Sequence, residues 1–117
     1  MDAFFFDPDV ERFPPEAVRL LDLHAEPHAD GRRIRVTLEL TPFQKRPDIE
    51  LTLTDPLGAV CATASILEPM GWKLDLTLHI RAPQPVPGIY TLTAVLSYPD
   101  LGETDRRQAS VTVSVPE

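Results

Sequence analysis

The stretch Gly88-Ile89-Tyr90-Thr91-Leu92 opens a run in which apolar and polar residues alternate as far as Tyr98. Successive side chains of a β-strand point to opposite faces, so a period of two predicts a strand with one buried face. The residues predicted to point inward are apolar or aromatic: Tyr90, Leu92, Ala94, Leu96 and Tyr98. This run therefore predicts one half-buried strand, the sixth in the chain.

Six further strands are predicted on either side of it. The alternation is strict over residues 33–40, 48–54 and 72–81, and a last strand is predicted over residues 109–115. In the first strand, residues 18–25, the apolar phase slips by one residue around Leu20 and Leu21, which predicts a β-bulge. Residues 59–67 are small and alternate poorly, which predicts a weak edge strand.

Gly, Pro and Asp separate these segments. Turn residues stand at Asp30-Gly31, at Asp55-Pro56-Leu57-Gly58 and at residues 99–102. The 13 prolines disfavour long helices. Short strands at roughly 8 to 15-residue spacing predict an all-β fold, a two-sheet antiparallel sandwich of about seven strands, with a barrel as the alternative. Residues 1–16 show neither period and are predicted to form an extended N-terminal arm, with residues 17–117 forming the domain.

The pattern Gly88-x-Tyr90-x-Leu92 resembles the tyrosine corner of immunoglobulin-like and fibronectin type III-like domains. In those domains a tyrosine near the start of the sixth strand hydrogen-bonds back to the preceding connection. The resemblance implies an immunoglobulin-like sandwich. Leu92 stands where antibody domains have a cysteine, and Trp72 opens the fifth strand instead of lying in the third. The resemblance therefore implies a sandwich without a disulfide, and it implies no activity.

Composition argues against several classes of partner and site. The chain holds 18 acidic and 11 basic residues, a formal charge of −7, which disfavours nucleic acid and anionic membranes. No apolar stretch is long enough to cross a bilayer, and Cys61 is the only cysteine, so a cytoplasmic protein is predicted, with an exported domain that lacks disulfides as the alternative. On a strand, His24 and His28 would lie about 13 Å apart, too far to share a metal ion.

Cys61 has no cation nearby in the sequence and is predicted to be an inert thiol. No catalytic, cofactor-binding or metal-binding residue is therefore predicted. An enzyme would require His79 or His24 to lie within hydrogen-bonding reach of Cys61 or a carboxylate.

Two surfaces are predicted to bind a partner. If strands three, six and seven form one sheet, its outer face carries almost no charge, and Thr91, Thr93, Val95 and Thr112 are its candidate binding residues. The alternative is that Thr and Ser are simply suitable exposed strand residues. Strands one, two, four and five would form the other sheet, with a charged outer face.

Alternating strand directions also place the loops after strands two, four and six at one end, beside the arm with Phe4, Phe5 and Phe6. That end would gather aromatic and basic side chains, unless the arm only covers the core. Its candidate residues are Phe43, Arg46, Trp72, Arg106 and Arg107.

The predicted function is a non-enzymatic interaction module that binds a protein partner or a second copy of itself. The alternative is a carbohydrate or small-ligand binding domain that uses Trp72 and Phe43 as stacking platforms.

Overall fold

The computed structural model describes residues 10–82 and 85–114. They form an all-β sandwich of seven strands in two antiparallel sheets, as predicted. The strands are β1 (Leu20–Pro27), β2 (Arg33–Leu40), β3 (Asp48–Thr54), β4 (Val60–Leu67), β5 (Lys73–His79), β6 (Gly88–Tyr98) and β7 (Gly102–Val113). A short 3-10 helix, Pro15–Ala17, precedes β1. Among the described residues no helix is long and apolar enough to cross a membrane.

The core lies between the two sheets and is built from the predicted inward residues. Along β6, Tyr90, Leu92, Ala94, Leu96 and Tyr98 are all buried, and the residues between them are not. The same alternation holds along β2 and β3. The period-two reading is therefore confirmed for these strands.

The bulge predicted in β1 is also confirmed. The pairing of β1 with β2 shifts between Leu20 and Asp22, which leaves Leu21 as the extra residue. Leu20 and Leu23 are buried, whereas Leu21 is 48% exposed. Leu21 points to solvent because the extra residue of a bulge leaves the regular alternation.

β4 belongs to a different sheet from the one predicted. The sheets have the orders β1-β2-β5 and β4-β3-β6-β7, so β4 pairs with β3 and not with the three-stranded sheet. The cause is the short connection between them. The Asp55 carboxylate accepts hydrogen bonds from the amides of Leu57 and Ala59, both at 2.9 Å, and closes a tight hairpin. Strands joined by so short a turn pair with each other. The prediction that β4 is an edge strand is confirmed.

β7 begins seven residues earlier than predicted, at Gly102 instead of residue 109. The amide of Leu101 donates to the carbonyl of Tyr98 at 3.0 Å. Gly102 has a φ of 73°, a left-handed conformation that glycine adopts readily in turns. This turn sends the chain straight back along β6. Charged residues occupy the first half of β7, so the alternation of apolar residues does not reveal it.

The two tyrosines of β6 fasten its ends to neighbouring loops. The Tyr90 hydroxyl donates to the carbonyl of Val86 at 2.7 Å, which is the bond that the resemblance to a tyrosine corner implied. The Tyr98 hydroxyl donates to the carbonyl of Lys45 at 2.8 Å. Both rings are 1% exposed, so each hydroxyl satisfies its hydrogen bonding inside the protein.

The described part of the arm packs against the domain. The amide of Phe13 donates to the carbonyl of Pro42 at 2.8 Å, and the amide of Gln44 donates to the carbonyl of Phe13 at 2.9 Å. Phe13 thereby forms a parallel bridge with Phe43. Phe4, Phe5 and Phe6, and also Pro83 and Val115, lie outside the described residues.

Candidate interaction surfaces

The outer face of the four-stranded sheet carries a broad uncharged region, which we call the threonine face. The strand register sets Thr52 between Thr63 and Thr93, and sets Thr54 between Val60 and Thr91. On the far side, Thr91 and Thr93 lie opposite residues of β7. The threonine face consists of Thr52, Thr54, Val60, Thr63, Ile89, Thr91, Thr93, Gln108, Ser110 and Thr112.

The threonine face includes two large apolar side chains that meet solvent. Val60 is 61% exposed and Ile89 is 62% exposed. Thr112 is exposed as well, and Thr91 and Thr93 are partly exposed. The Gln108 amide group donates to the Thr93 hydroxyl at 3.1 Å, so polar groups of this face already bond to one another. The structure therefore brings the predicted residues Thr91, Thr93 and Thr112 together on one surface.

Val95 lies at the charged margin of the threonine face. Its register partner on β7 is Arg106, whose guanidinium donates to the Glu103 carboxylate at 2.8 and 3.2 Å. Arg106 was predicted at the loop end, and that prediction is wrong, because β7 already starts at Gly102 and carries Arg106 within the sheet. The pKa of the Glu103 carboxyl lies below its ordinary value because Arg106 binds it.

Arg107 closes the side of the sandwich where β7 passes β1. Its guanidinium donates to the carbonyl of Leu20 at 3.3 Å, and the Asp105 carboxylate accepts from the amide of Leu20 at 2.8 Å. Arg107 was predicted to belong to the binding end. It instead contributes to a contact between two strands of the sandwich.

The two aromatic residues predicted at the binding end belong to the core. Phe43 is 3% exposed and Trp72 is 7% exposed. Their rings meet edge to face, with centroids 6.2 Å apart and planes at 88°. The prediction that they offer open stacking surfaces is wrong, because the loops after β2 and β4 fold these rings inward to fill the end of the sandwich.

The basic residues of that end are paired with acidic ones. Arg46 donates to the Met70 sulfur at 3.0 Å and lies 3.8 Å from the Glu68 carboxylate. The Lys45 ammonium lies 3.7 Å from the Asp100 carboxylate. A hollow of about 300 Å³ opens beside Arg46, and Glu68 also lines it. The loops after β2, β4 and β6 do meet here as predicted, but carboxylates offset the positive charge.

The outer face of the three-stranded sheet differs from the threonine face in being strongly charged. The Arg35 guanidinium donates to the two Asp75 oxygens at 3.2 and 2.6 Å, and Lys73 lies 3.7 Å from Glu39. Each member of these pairs is well exposed. A partner that covered this face would have to remove water from several ions, which is costly.

Cys61 and His24 have different bonding partners, and His24 does lie within hydrogen-bonding reach of a carboxylate, as an enzyme was expected to require. Cys61 is buried, and its thiol donates to the carbonyl of Leu53 at 3.4 Å. Burial, together with the charge of Asp55, raises the pKa of the Cys61 thiol. His24 is exposed and bonds the Glu26 carboxylate at 2.9 Å. In the described ranges no three His, Cys, Asp or Glu side chains cluster in a way that could hold a metal ion.

The contribution of β4 to the threonine face was not predicted from the sequence. Val60 and Thr63 extend this face by one strand because β4 pairs with β3. The signal was present in Asp55-Pro56-Leu57-Gly58, a turn short enough to force its two flanking strands into one hairpin.

Comparison with known proteins shows the fold alone. No protein-family model and no curated protein matches the chain. Among solved structures, it is similar to a family 76 glycoside hydrolase from a bovine Bacteroides thetaiotaomicron strain, with a TM-score of 0.65 and 14% identity over 80% of this chain and 20% of that chain. It is also similar to Bifidobacterium dentium β-glucuronidase, with a TM-score of 0.64 and 14% identity over 82% of this chain and 17% of that one.

A third similar structure is Lactobacillus rhamnosus β-glucuronidase, with a TM-score of 0.58 and 19% identity over 83% of this chain and 16% of that one. The chain thus spans a fifth or less of the length of each of these enzymes.

Proposed function

We propose that this chain is a non-enzymatic interaction module with an immunoglobulin-like fold, and that it binds a protein partner through the threonine face. The Tyr90 bond to Val86 and the seven-strand, two-sheet arrangement support the immunoglobulin-like assignment. The short span relative to the glycoside hydrolases supports an accessory role instead of a catalytic one. A reducing cytoplasm suits the unpaired, buried Cys61.

One observation carries the binding proposal: the strand register places uncharged side chains side by side across all four strands of one sheet. Covering threonine and valine costs far less free energy than covering ions. The cores of protein interfaces are depleted of charged residues for this reason. The opposite sheet, with its exposed ion pairs, lacks this property.

The chemistry of the face favours a protein surface as the ligand. The threonine face is flat sheet with hydroxyl, amide and aliphatic groups, which suit a partner surface of the same mixed, uncharged character. The carbohydrate alternative relied on Phe43 and Trp72, and both rings are buried against each other. Sugar binding is therefore not the function that this geometry supports best.

The test compares two threonine-to-arginine variants on opposite sheets. Thr93→Arg places a cation in the middle of the threonine face. Thr37→Arg is the matched control, since Thr37 is a partly exposed residue on the outer face of β2. Proteins captured from the native cell by the unaltered chain are compared with those captured by each variant. Both variants are first shown to unfold at the temperature of the unaltered chain.

A partner that is captured by the unaltered chain and by Thr37→Arg, and lost with Thr93→Arg, supports the proposal. Equal capture by both variants would contradict it. Loss of capture with Thr37→Arg alone would move the binding surface to the charged sheet.

A further inference from the structure

The strand β4 is uncharged, and its outer edge is open except at Cys61. β4 pairs with β3 along one edge. Along the other edge, the described residues give it one backbone hydrogen bond, from the amide of Arg81 to the carbonyl of Cys61 at 2.9 Å. Val60–Leu67 contains no charged residue and no proline. Natural edge strands usually carry lysine, proline or a covering segment, because a bare edge can pair with another chain.

The backbone groups at this edge point away from the sheet at alternate residues. The amide of Glu68 donates toward β3, to the carbonyl of Pro47 at 3.1 Å, whereas the carbonyl of Cys61 points away from β3 toward Arg81. Backbone groups alternate in direction along an antiparallel strand. The amides and carbonyls of Thr63, Ser65 and Leu67 therefore face outward, in the positions that a further strand would use.

The other edges of the sandwich are protected. Asp105 and Arg107 on β7 bond to the Leu20 backbone of β1, which closes that side. β5 is the remaining edge strand, and it presents Lys73, Asp75 and His79 at alternate positions. Charges of this kind deter strand addition. Among the described strands, β4 is thus the edge best suited to accept another strand.

We propose that a second copy of this chain pairs its own β4 with this edge, antiparallel and with twofold symmetry, so that two four-stranded sheets become one continuous sheet. This proposal goes beyond the proposed function, because it rests on the backbone groups of an edge instead of the side chains of a face. A twofold interface requires a surface that is complementary to itself.

The residue pattern of β4 meets that requirement. A register centred on Ala64 sets Thr63 of one copy opposite Ser65 of the other, and both residues direct their backbone groups outward. Val60 and Leu67, 61% and 69% exposed, stand at opposite ends of the strand. Antiparallel pairing in this register sets Leu67 of one copy opposite Cys61 of the other, so that it lies near Val60 at the same end of the interface. An uncharged strand also meets its copy without repulsion between like charges.

The test combines the oligomeric state with amide exchange. Thr63→Pro removes one outward amide while leaving the bonds from β4 to β3 in place. Thr77→Pro is the matched control, since the amide of Thr77 faces away from β2 on β5, the edge strand that charges protect. Sedimentation velocity is measured over a wide range of concentrations. We expect a monomer–dimer equilibrium for the unaltered chain and for Thr77→Pro, and a monomer for Thr63→Pro.

Amide exchange keeps the proposal testable if Thr63→Pro fails to fold. Raising the concentration of the unaltered chain is expected to slow exchange at the amides of Thr63, Ser65 and Leu67. A chain that stays monomeric at high concentration, or a dimer that a folded Thr63→Pro variant retains, would overturn the proposal. Thr93→Arg should leave the dimer intact, so the failure of this proposal and the failure of the proposed function give different results.

Discussion

The Leu20 amide donates a 2.8 Å hydrogen bond to the Asp105 carboxylate, a residue 85 positions later in the chain. Arg107 donates to the carbonyl of the same Leu20 at 3.3 Å. Two side chains of β7 thus satisfy both backbone groups of one residue in β1, next to the bulge at Leu21. They join the two sheets where strand-to-strand pairing does not.

Asp105→Ala is therefore expected to destabilise the domain. It removes a charged acceptor and leaves the Leu20 amide unpaired, a loss of roughly 1 to 3 kcal/mol in the free energy of unfolding. Chemical denaturation measures the loss. Asp100→Ala is the control, since that side chain is 85% exposed and lies 3.7 Å from Lys45. Equal stability of the two variants would show that the Leu20 contact contributes nothing.

Alkaline pH is expected to destabilise the protein through Tyr98. Burial raises the pKa of Tyr98 from its ordinary value of 10 to about 12. The folded state therefore holds this proton more tightly than the unfolded state does. The contribution of Tyr98 to the free energy of unfolding is fully present below pH 10. It is lost as the pH rises toward 12, and the loss is about 2 to 3 kcal/mol at most.

Tyr98→Phe provides the comparison for that pH dependence. The variant loses the bond to Lys45, which costs about 1 kcal/mol at neutral pH. Its unfolding free energy should then fall less steeply between pH 10 and 12 than that of the unaltered protein. Parallel curves for the two proteins would assign the alkaline loss to other groups, of which Tyr90, with its own raised pKa, is the first to examine.

Gly88→Ala is expected to destabilise the start of β6 more than Gly102→Ala destabilises the start of β7. Both glycines have a positive φ, 138° and 73°. A Cβ at Gly88 would lie 2.9 Å from Cγ of Pro56, whereas a Cβ at Gly102 would meet nothing within 4 Å. Backbone strain of this kind costs about 1 to 3 kcal/mol, and Gly88→Ala adds a clash to it. Thermal unfolding midpoints that follow the opposite order would contradict this account.

Cys61 is expected to react slowly with thiol reagents in the folded protein. Its side chain is buried, its thiol is bonded to Leu53, and burial raises its pKa, so little thiolate is present at neutral pH. The control is a Cys61→Ser, Thr63→Cys double variant, which moves the thiol to an exposed position on the same strand. The rate for Cys61 should rise to the control rate once the protein is denatured. Equal rates in the folded state would show that Cys61 is accessible.

The strand positions and the core could be predicted from the sequence because burial imposes a period of two. In β6, five inward residues alternate with partly exposed ones. Only one pairing register of the strand buries all five. The resemblance of Gly88-x-Tyr90-x-Leu92 to a tyrosine corner also implied a bond from Tyr90 to the preceding connection, and the Tyr90 hydroxyl bonds to Val86, four positions earlier.

The predictions from sequence were wrong where the pattern of apolar and polar residues does not show where a strand begins or which way a side chain points. The first half of β7 lacks apolar alternation because Asp105 and Arg107 fill inward positions to bond β1, so periodicity did not reveal that half. Phe43 lies in a loop, where no period indicates direction, and its edge-to-face contact with Trp72 shows that it points inward. Trp72 has the inward parity of the run 72–81 and is buried as that parity indicates, so the error was to treat it as an open stacking surface. Arg106 was misplaced because β7 was predicted to be too short.

The link between Leu20 and Asp105 also sets an order of events in folding. Asp105 and Arg107 follow Leu20 by 85 and 87 positions, so their contact closes a long loop, and loop closure slows folding as sequence separation grows. During synthesis β1 is made before β7. Until β7 has been made, β1 lacks its contacts with Asp105 and Arg107. We therefore expect the docking of β7 against β1 to be a late step in folding, and we expect conditions that delay it to expose β1 to pairing with other chains.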